Sequence, residues 1–182
     1  MKMIKVVTSV LILGASMVAY GEQYQPIETL AQLDVSFADS TWNGKVVPKG
    51  QHCKMFEGNG ATPLLSVGNI PKGSNAILVS YNDKTFKPND NGGHGIIGIW
   101  VEEGKTVVEI PSVAGESNEL PKGMFIEQKF RSNRGKGGAY LPPCSGGRGN
   151  EYNATIQAVY KSSKTSEKSA LLGEGVIALG KY

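Results

Sequence analysis

The sequence contains few of the residues on which enzymes usually depend. It has two histidines and two cysteines among 182 residues, so a metal site of three histidines or of several cysteines is excluded. The His-Glu-x-x-His pattern of zinc proteases is missing, and so is the Gly-x-Ser-x-Gly turn that carries the serine of α/β-hydrolases. We therefore expect no metal, no cofactor and neither of these two enzyme classes.

An excess of charge of one sign is also missing. Lysine and arginine total 19, against 16 acidic residues. Lys2 and Lys5 fall in an N-terminal leader, and without them 17 basic residues stand against 16 acidic ones, a net charge of +1. A chain so nearly balanced is not expected to bind nucleic acid or an acidic membrane surface.

The leader, residues 1–21, has the pattern of a secretory signal peptide. Its lysines precede a mostly apolar run from Val6 to Val18, which is too short to cross a bilayer comfortably. Ala19-Tyr20-Gly21 then places small residues at both key positions of a cleavage site. A buried N-terminal helix is the alternative interpretation. We expect the chain to be exported, either to the periplasm or as a secreted protein, with one domain over residues 22–182.

Glycine and proline, in contrast, are plentiful. The chain has 24 glycines and 9 prolines, about 18% of its residues, where about 12% is usual. Turns rich in these residues separate short runs that have the patterns of strands. Continuous apolar runs at 76–79 and 96–101 are typical of strands covered on both faces, and 152–160 alternates as a half-buried strand does.

The remaining segments carry weaker signals. Further strand candidates begin at Val35 and cover Thr106–Ile110, Met124–Gln128 and Gly175–Leu179. Ser166–Leu172 is predicted to form a short helix that ends at Gly173. Many short strands between Gly- and Pro-rich turns predict a mainly β fold, an antiparallel sandwich with a few short helices.

The two cysteines, Cys53 and Cys144, are 91 positions apart. Because exported proteins meet oxidising conditions, we favour a disulfide bond between them, and two buried free thiols are the alternative. On the chain-entropy model, closing so long a loop stabilises the fold by about 4–5 kcal/mol, less any strain in the native state.

His94 lies between two glycines at the start of an apolar strand. A histidine in this position can contact a ligand through its ring and through exposed backbone N–H groups nearby. A structural histidine, satisfied within the protein, is the alternative. Loops 82–95 and 131–151 are long and rich in Gly, Asn and Pro, and such loops on a rigid sheet are where binding sites tend to lie.

A series of segments in a particular order carries a family resemblance. In chain order they are Gly44 and Pro48, Cys53, Gly58-Asn59-Gly60, Thr62-Pro63-Leu64, Ile70-Pro71-Lys72-Gly73, the strand Ala76–Tyr81, His94, Tyr140-Leu141-Pro142-Pro143-Cys144, and Gly173 to Tyr182. This order resembles the phosphatidylethanolamine-binding protein family, which includes Raf-kinase inhibitor proteins and a bacterial YbhB/YbcL-like branch. The resemblance covers nearly all of 35–182. It implies the family's β-rich fold, a pocket for small anions and, from the bacterial relatives, a possible homodimer.

The resemblance also implies a set of pocket residues. Asp83 matches an aspartate of the family's pocket loop, His94 the first pocket histidine and Tyr152 the pocket tyrosine. Asn150 stands where the family has a second histidine. Arg148 lies beside these positions and can form a charge-assisted contact with phosphate or carboxylate. We expect these five residues to share one concave site.

One departure from the family pattern weakens the expectation of a pocket for anions. Glu151 stands where the family has an arginine, so a negative charge lies next to the intended anion site unless the side chain points away. The pocket is accordingly altered, repurposed or vestigial.

Three functions follow from these observations. The first is a non-enzymatic binding protein whose ligand is a small phosphorylated or carboxylated molecule or a phospholipid head group. The alternative is an extracellular module that binds or inhibits a protein partner and keeps only a vestigial pocket. The second alternative is a weak hydrolase that uses His94 and Asp83 as an acid–base pair, although the sequence offers no obvious nucleophile.

Overall fold

A computed structural model describes residues 24–133, 135, 137–164 and 167–182. The predicted leader, residues 1–21, lies outside the described residues. The strands are β1 (Gln25–Gln32), β2 (Asp34–Phe37), β3 (Leu65–Gly68), β4 (Ala76–Asp83), β5 (Ile96–Trp100), β6 (Val108–Ile110), β7 (Met124–Gln128), β8 (Glu151–Tyr160) and β9 (Ala170–Lys181). Two single turns of 3₁₀ helix cover Lys54–Phe56 and Lys87–Asn89. The mainly β fold is confirmed.

Two sheets form the body of the fold. The larger sheet has the order β1-β9-β8-β4-β5-β7, and the smaller has the order β2-β3-β6. All pairs are antiparallel except β1 with β9. The main apolar core joins residues of both sheets, such as Leu65 and Val67 of the smaller sheet with Ile77, Val79 and Ile156 of the larger. The sheets therefore pack face to face, as in the predicted sandwich.

The two central strands follow the patterns predicted for them. Ile77 and Val79 of β4 face the main core, and Leu78 of the same strand packs in a second apolar cluster with Val159 and Leu171. β4 is thus covered on both faces. β8 is half-buried, since its residues from Tyr152 alternate between buried and partly exposed positions. The alternation ends where a bulge shifts the pairing with β9 beside Val159.

The helix predicted for Ser166–Leu172 is wrong in its described part. Ala170, Leu171 and Leu172 begin β9, and Leu171 pairs with Val159 and is buried in the second apolar cluster. Sheet pairing on both sides of β9 outweighs the weak local helical preference. Gly173, the predicted helix stop, lies within the strand. A Cβ there would be 3.0 Å from the Ala31 carbonyl oxygen, so glycine lets β1 approach closely.

The predicted disulfide bond between Cys53 and Cys144 is present, with the two Cα atoms 5.2 Å apart. It packs in a small buried cluster with Leu141, Phe130 and Phe56. The bond therefore joins the loop before β3 to the loop before β8. Across the described residues, no helix has the length and apolar character needed to span a membrane.

Candidate functional site

The candidate site lies at the end of the larger sheet where β4 ends and its two neighbours, β5 and β8, begin. Asp83, the last residue of β4, is the register partner of Tyr152 near the start of β8. His94 precedes β5, and its backbone N–H donates to the Tyr81 carbonyl oxygen at 3.1 Å. Antiparallel pairing thus brings together residues that lie almost 70 positions apart in the chain.

His94 is a buried histidine with a fixed orientation. The residue is 2% exposed, and its Nδ1 lies 2.7 Å from the Leu141 carbonyl oxygen. Its ring meets the Tyr152 ring edge to face, with 5.4 Å between the centroids. Burial lowers the pKa of His94, and the Leu141 carbonyl and the charge of Asp83 only partly oppose this. The ring is therefore neutral at neutral pH.

The glycines beside His94 serve packing. A Cβ on Gly95 would lie 2.0 Å from the Ala139 carbonyl oxygen, so glycine is needed for the 139–141 segment to approach the ring. The backbone N–H groups of this stretch are already used: Gly93 donates to Asp90, His94 to Tyr81 and Gly95 to Gly92. The expectation of backbone donors exposed to a ligand is therefore wrong at these positions.

Asp83 organises the site and is 3% exposed. Its Oδ1 accepts from the backbone N–H groups of Thr85 and Phe86, both at 2.9 Å. Its Oδ2 accepts from the Asn150 side-chain amide at 2.7 Å. The carboxylate therefore links the turn after β4 to the loop before β8, and its two oxygens are satisfied by three hydrogen-bond donors.

A cavity of about 620 Å³ opens beside His94. Four of the five predicted site residues line it: Asp83, His94, Arg148 and Asn150. The remaining lining residues are Thr85, Phe86, Pro88, Asn89, Arg131, Ser132, Asn133, Cys144 and Ser145. Its wall is thus drawn from three stretches, at 83–94, 131–133 and 144–150.

Tyr152 lies behind the cavity wall. It is buried against the His94 ring, and its phenol oxygen accepts from the Cys144 backbone N–H at 3.3 Å. Burial raises the pKa of Tyr152 to about 12, so the phenol is neutral. The residue supports His94 and the disulfide-bonded segment from behind.

Two arginines supply positive charge to the cavity. Arg131 donates through Nη2 to the carbonyl oxygens of Asp90 and Asn91, which fixes the guanidinium against the turn before His94. Arg148 lies exposed on a turn between Gly147 and Gly149, and within the described part of the chain its guanidinium has no hydrogen-bond or ion-pair partner. Sequence reasoning missed Arg131, whose only signal was its place in a long loop.

Glu151 points away from the cavity. It forms an ion pair with Lys181 at 2.9 Å and lines a separate hollow on the side of β9. The hydrogen bond and charge of Lys181 lower the pKa of Glu151. The acidic side chain that replaces the family's arginine therefore adds no negative charge to the wall beside His94.

Tyr182 supports the loop that carries Arg148 and Asn150, a role with no signal in the sequence. Its backbone N–H donates to the Asn150 carbonyl at 3.0 Å, and its own carbonyl accepts from Gly149 N–H at 2.8 Å and from the Ser145 hydroxyl. Its ring stacks on His52 at 4.7 Å. His52, the second histidine, thus packs beneath the loop and does not line the cavity.

Two solved structures have the same fold. The chain is similar to a phosphatidylethanolamine-binding protein homologue from Chlamydia trachomatis, with 17% identity and a TM-score of 0.50 over 83% of this chain and 97% of that chain. It is also similar to YbcL of Escherichia coli, which is described as a new member of the mammalian phosphatidylethanolamine-binding protein family. The identity is 18% and the TM-score 0.53, over 84% of this chain and 98% of that chain.

Comparisons of the sequence itself find no relatives. No protein-family model matches the chain, and no curated protein matches it. The structural likeness at these identities concerns the fold alone. The protein therefore has the phosphatidylethanolamine-binding protein fold, as the resemblance implied, and its function has to be argued from the site.

Proposed function

We propose that this protein is an exported, non-enzymatic binding protein whose cavity holds a small anion. The observation that carries the proposal is the convergence of Arg131 and Arg148 on one cavity whose only lining carboxylate, within the described residues, is already hydrogen-bonded through both oxygens. Asp83 accepts three hydrogen bonds from the protein, so its oxygens do not compete with a ligand for the arginines, and the two positive side chains outnumber this one carboxylate.

The two guanidinium groups of the site favour a phosphate-type or carboxylate-type ligand. Guanidinium groups pair with both through parallel N–H donors. The fold neighbours are named for phosphatidylethanolamine binding, which makes a phospholipid head group one source of such an anion. The cavity is large enough for a head group or a small metabolite.

The side-chain contacts lend the hydrolase alternative no support. His94 bonds through Nδ1 to a carbonyl oxygen and not to Asp83, whose oxygens are taken by Thr85, Phe86 and Asn150. The Ser145 hydroxyl on the cavity wall donates to the Tyr182 carbonyl and not to His94. A nucleophile activated by a base needs that hydrogen bond.

The experiment is an NMR titration of the purified protein with phosphate, phosphoethanolamine and acetate. We expect the signals of His94, Arg131 and Arg148 to move with saturation at millimolar ligand or below. Arg131→Gln and Arg148→Gln should each weaken binding about tenfold. Lys72→Gln, which removes an exposed charge remote from the cavity, is the matched control. A folded protein whose cavity signals ignore all three anions would refute the proposal.

Export is a proposal that rests on the leader and on the disulfide bond, which suits an oxidising compartment. N-terminal sequencing of exported material should begin near Glu22. Intact leader residues on protein recovered from the cytosol would argue against it. The homodimer implied by the bacterial relatives is tested by sedimentation velocity on the same material.

A protein-binding module is the second candidate, and one observation favours it. Phe86 is 52% exposed at the cavity mouth, and Met55 is 53% exposed. Phenylalanine and methionine are enriched at protein–protein interfaces relative to the rest of the surface. If a protein partner is recovered, binding that Phe86→Ala abolishes and His94→Ala leaves intact would favour this function over anion binding.

A further inference from the structure

The two ring nitrogens of His94 have different and assignable roles. Nδ1 lies 2.7 Å from the Leu141 carbonyl oxygen. Because a carbonyl oxygen can only accept, Nδ1 must carry a proton. A neutral imidazole has one proton, so Nε2 presents a bare lone pair that can only accept a hydrogen bond.

Nε2 has no hydrogen-bond partner among the described residues, although the ring is almost wholly buried. A buried acceptor without a donor costs free energy, and native proteins usually avoid it. His94 lines the cavity, and Nε2 is itself almost closed to solvent, so only a small group seated directly against the ring could reach it. A ligand that brings a hydrogen-bond donor would satisfy this acceptor.

The charged and titratable groups around His94 do not supply that donor. Asp83 at the end of β4 is an acceptor, and Tyr152 on β8 meets the imidazole ring edge to face. Arg131 is bonded to carbonyl oxygens, and Arg148 lies on the exposed turn. Tyr140, which precedes Leu141, has a buried hydroxyl that makes no hydrogen bond within the described residues, so it does not donate to His94.

We propose that the cavity selects an oxyanion that keeps a hydroxyl hydrogen, as inorganic phosphate and protonated phosphate monoesters do. The inference rests on the proposed function above and names its ligand class. The arginines would take the unprotonated oxygens, and the P–O–H group would donate to Nε2. Sulfate has nearly the same size and shape but no hydrogen at neutral pH, so one of its oxygens would face the Nε2 lone pair.

The requirement for a hydroxyl hydrogen also distinguishes inorganic phosphate, phosphate monoesters and phosphodiesters as ligands. Inorganic phosphate keeps a hydroxyl hydrogen throughout the neutral range. A monoester loses its last hydrogen as the pH rises past about 6, and a phosphodiester, the form found in an intact phospholipid, has none on its phosphate. The site therefore favours free phosphate or a protonated monoester over the diester of a membrane lipid.

The test is a set of titrations at pH 7 and constant ionic strength with inorganic phosphate, sulfate, methyl phosphate and dimethyl phosphate. We expect phosphate to bind at least tenfold more tightly than sulfate and dimethyl phosphate. Methyl phosphate should gain affinity relative to phosphate as the pH falls from 7 toward 6. Nitrogen-detected NMR of His94 should show Nδ1 protonated and Nε2 accepting in the phosphate complex.

Two measurements make the outcomes distinct. In His94→Gln the side-chain amide can donate as well as accept, so the preference for phosphate over sulfate should fall below threefold. If that variant does not fold, the NMR assignment on the wild-type protein decides alone. Equal binding of sulfate and phosphate in the wild-type cavity would overturn this inference and leave the anion site standing. Failure of every anion to bind would overturn both.

Discussion

The middle of the larger sheet and its cavity end are built by different kinds of contact. In the middle, β4 and β8 pair over eight successive positions, and apolar side chains from both sheets share the burial. At the cavity end, a small number of polar contacts and one disulfide bond hold the segments together. They are the hydrogen bonds of the Asp83 carboxylate, the bond from His94 to the Leu141 carbonyl, the Cys53–Cys144 bond and the contacts of Tyr182. Stability is therefore spread over many residues in the middle and concentrated in a few at the cavity.

The largest expected effect comes from the disulfide bond, which belongs to the cavity end. Replacing Cys53 and Cys144 together by alanine should lower the free energy of unfolding by about 4 kcal/mol, because the open chain gains loop entropy. Urea unfolding measures this. Reduction of the wild-type protein is the control and should give a similar loss. A loss below about 1 kcal/mol would contradict the entropic account and would indicate that the unfolded chain stays compact without the bond.

A core substitution should have the next largest effect and a different signature. Ile156→Ala removes a fully buried side chain from β8 and should cost about 3 kcal/mol. Val176→Ala on the exposed side of β9, 56% exposed, is the matched control and should cost far less. Phosphate affinity of the folded Ile156→Ala protein should stay within twofold of wild type. A large loss of affinity would contradict the separation of the two regions.

Asp83→Asn tests whether one residue couples both parts of the cavity wall. The new amide would face the Asn150 amide donor and lose the charge that attracts two backbone N–H groups, at a cost of about 2 kcal/mol. Anion affinity should fall because the loop with Arg148 is released. Asp34→Asn, at an exposed position of β2, is the control. Unchanged affinity in a destabilised Asp83→Asn protein would mean that the loop is held by other contacts.

The pH dependence of folding should carry the signature of His94. Burial lowers its pKa in the folded protein, so the unfolded chain binds the proton first as the pH falls below about 6.5. The stabilisation is complete above that value and is lost as the pH falls toward the folded pKa. One proton limits the slope to about 1.4 kcal/mol per pH unit.

The measurement is the free energy of unfolding between pH 7.5 and 5.5 for wild type and His94→Gln. The wild-type protein should lose more stability as the pH falls over this range, because it has His94, which takes up a proton on unfolding, and the variant does not. Parallel curves for the two proteins would mean that folding leaves the pKa of His94 unchanged, so that the folded ring takes up a proton over the same pH range as the unfolded chain. That result would also undermine the assignment of Nε2 as an acceptor.

The smallest effect on stability should come from Arg148→Gln, within about 0.5 kcal/mol, because the side chain is exposed on a glycine-rich turn. Anion affinity should nevertheless fall about tenfold. Thermal unfolding and a phosphate titration of the same sample measure both. If the free energy of unfolding falls by as much as the free energy of anion binding, Arg148 acts by holding the loop and not by contacting the ligand.

The strands were largely predictable, because burial imposes local patterns. The runs at 76–79 and 96–101 and the alternation from Tyr152 all mark strands that the structure contains. β1 was missed, since Gln25–Gln32 is mostly exposed and joins the edge of the sheet without a burial pattern. The false helix shows the same limit, because β9 begins where pairing with two neighbours decides the conformation.

The candidate site was predictable only where a resemblance marked its residues. Asp83, His94, Arg148 and Asn150 were expected together and line one cavity. Arg131 and Tyr182 were not expected in it or beneath it, because their roles depend on backbone carbonyl oxygens far along the chain. Neighbouring residues in the sequence carry no trace of such contacts.

The sequence by itself determined which stretches are apolar enough to become buried strands, and it restricted the chemistry to two histidines and two cysteines. Only the tertiary structure decided which nitrogen of His94 carries the proton, which donors satisfy the oxygens of Asp83, and that Glu151 turns away toward Lys181. The reason is physical: burial acts through local composition, whereas a hydrogen bond depends on the position and direction of atoms that distant segments bring together.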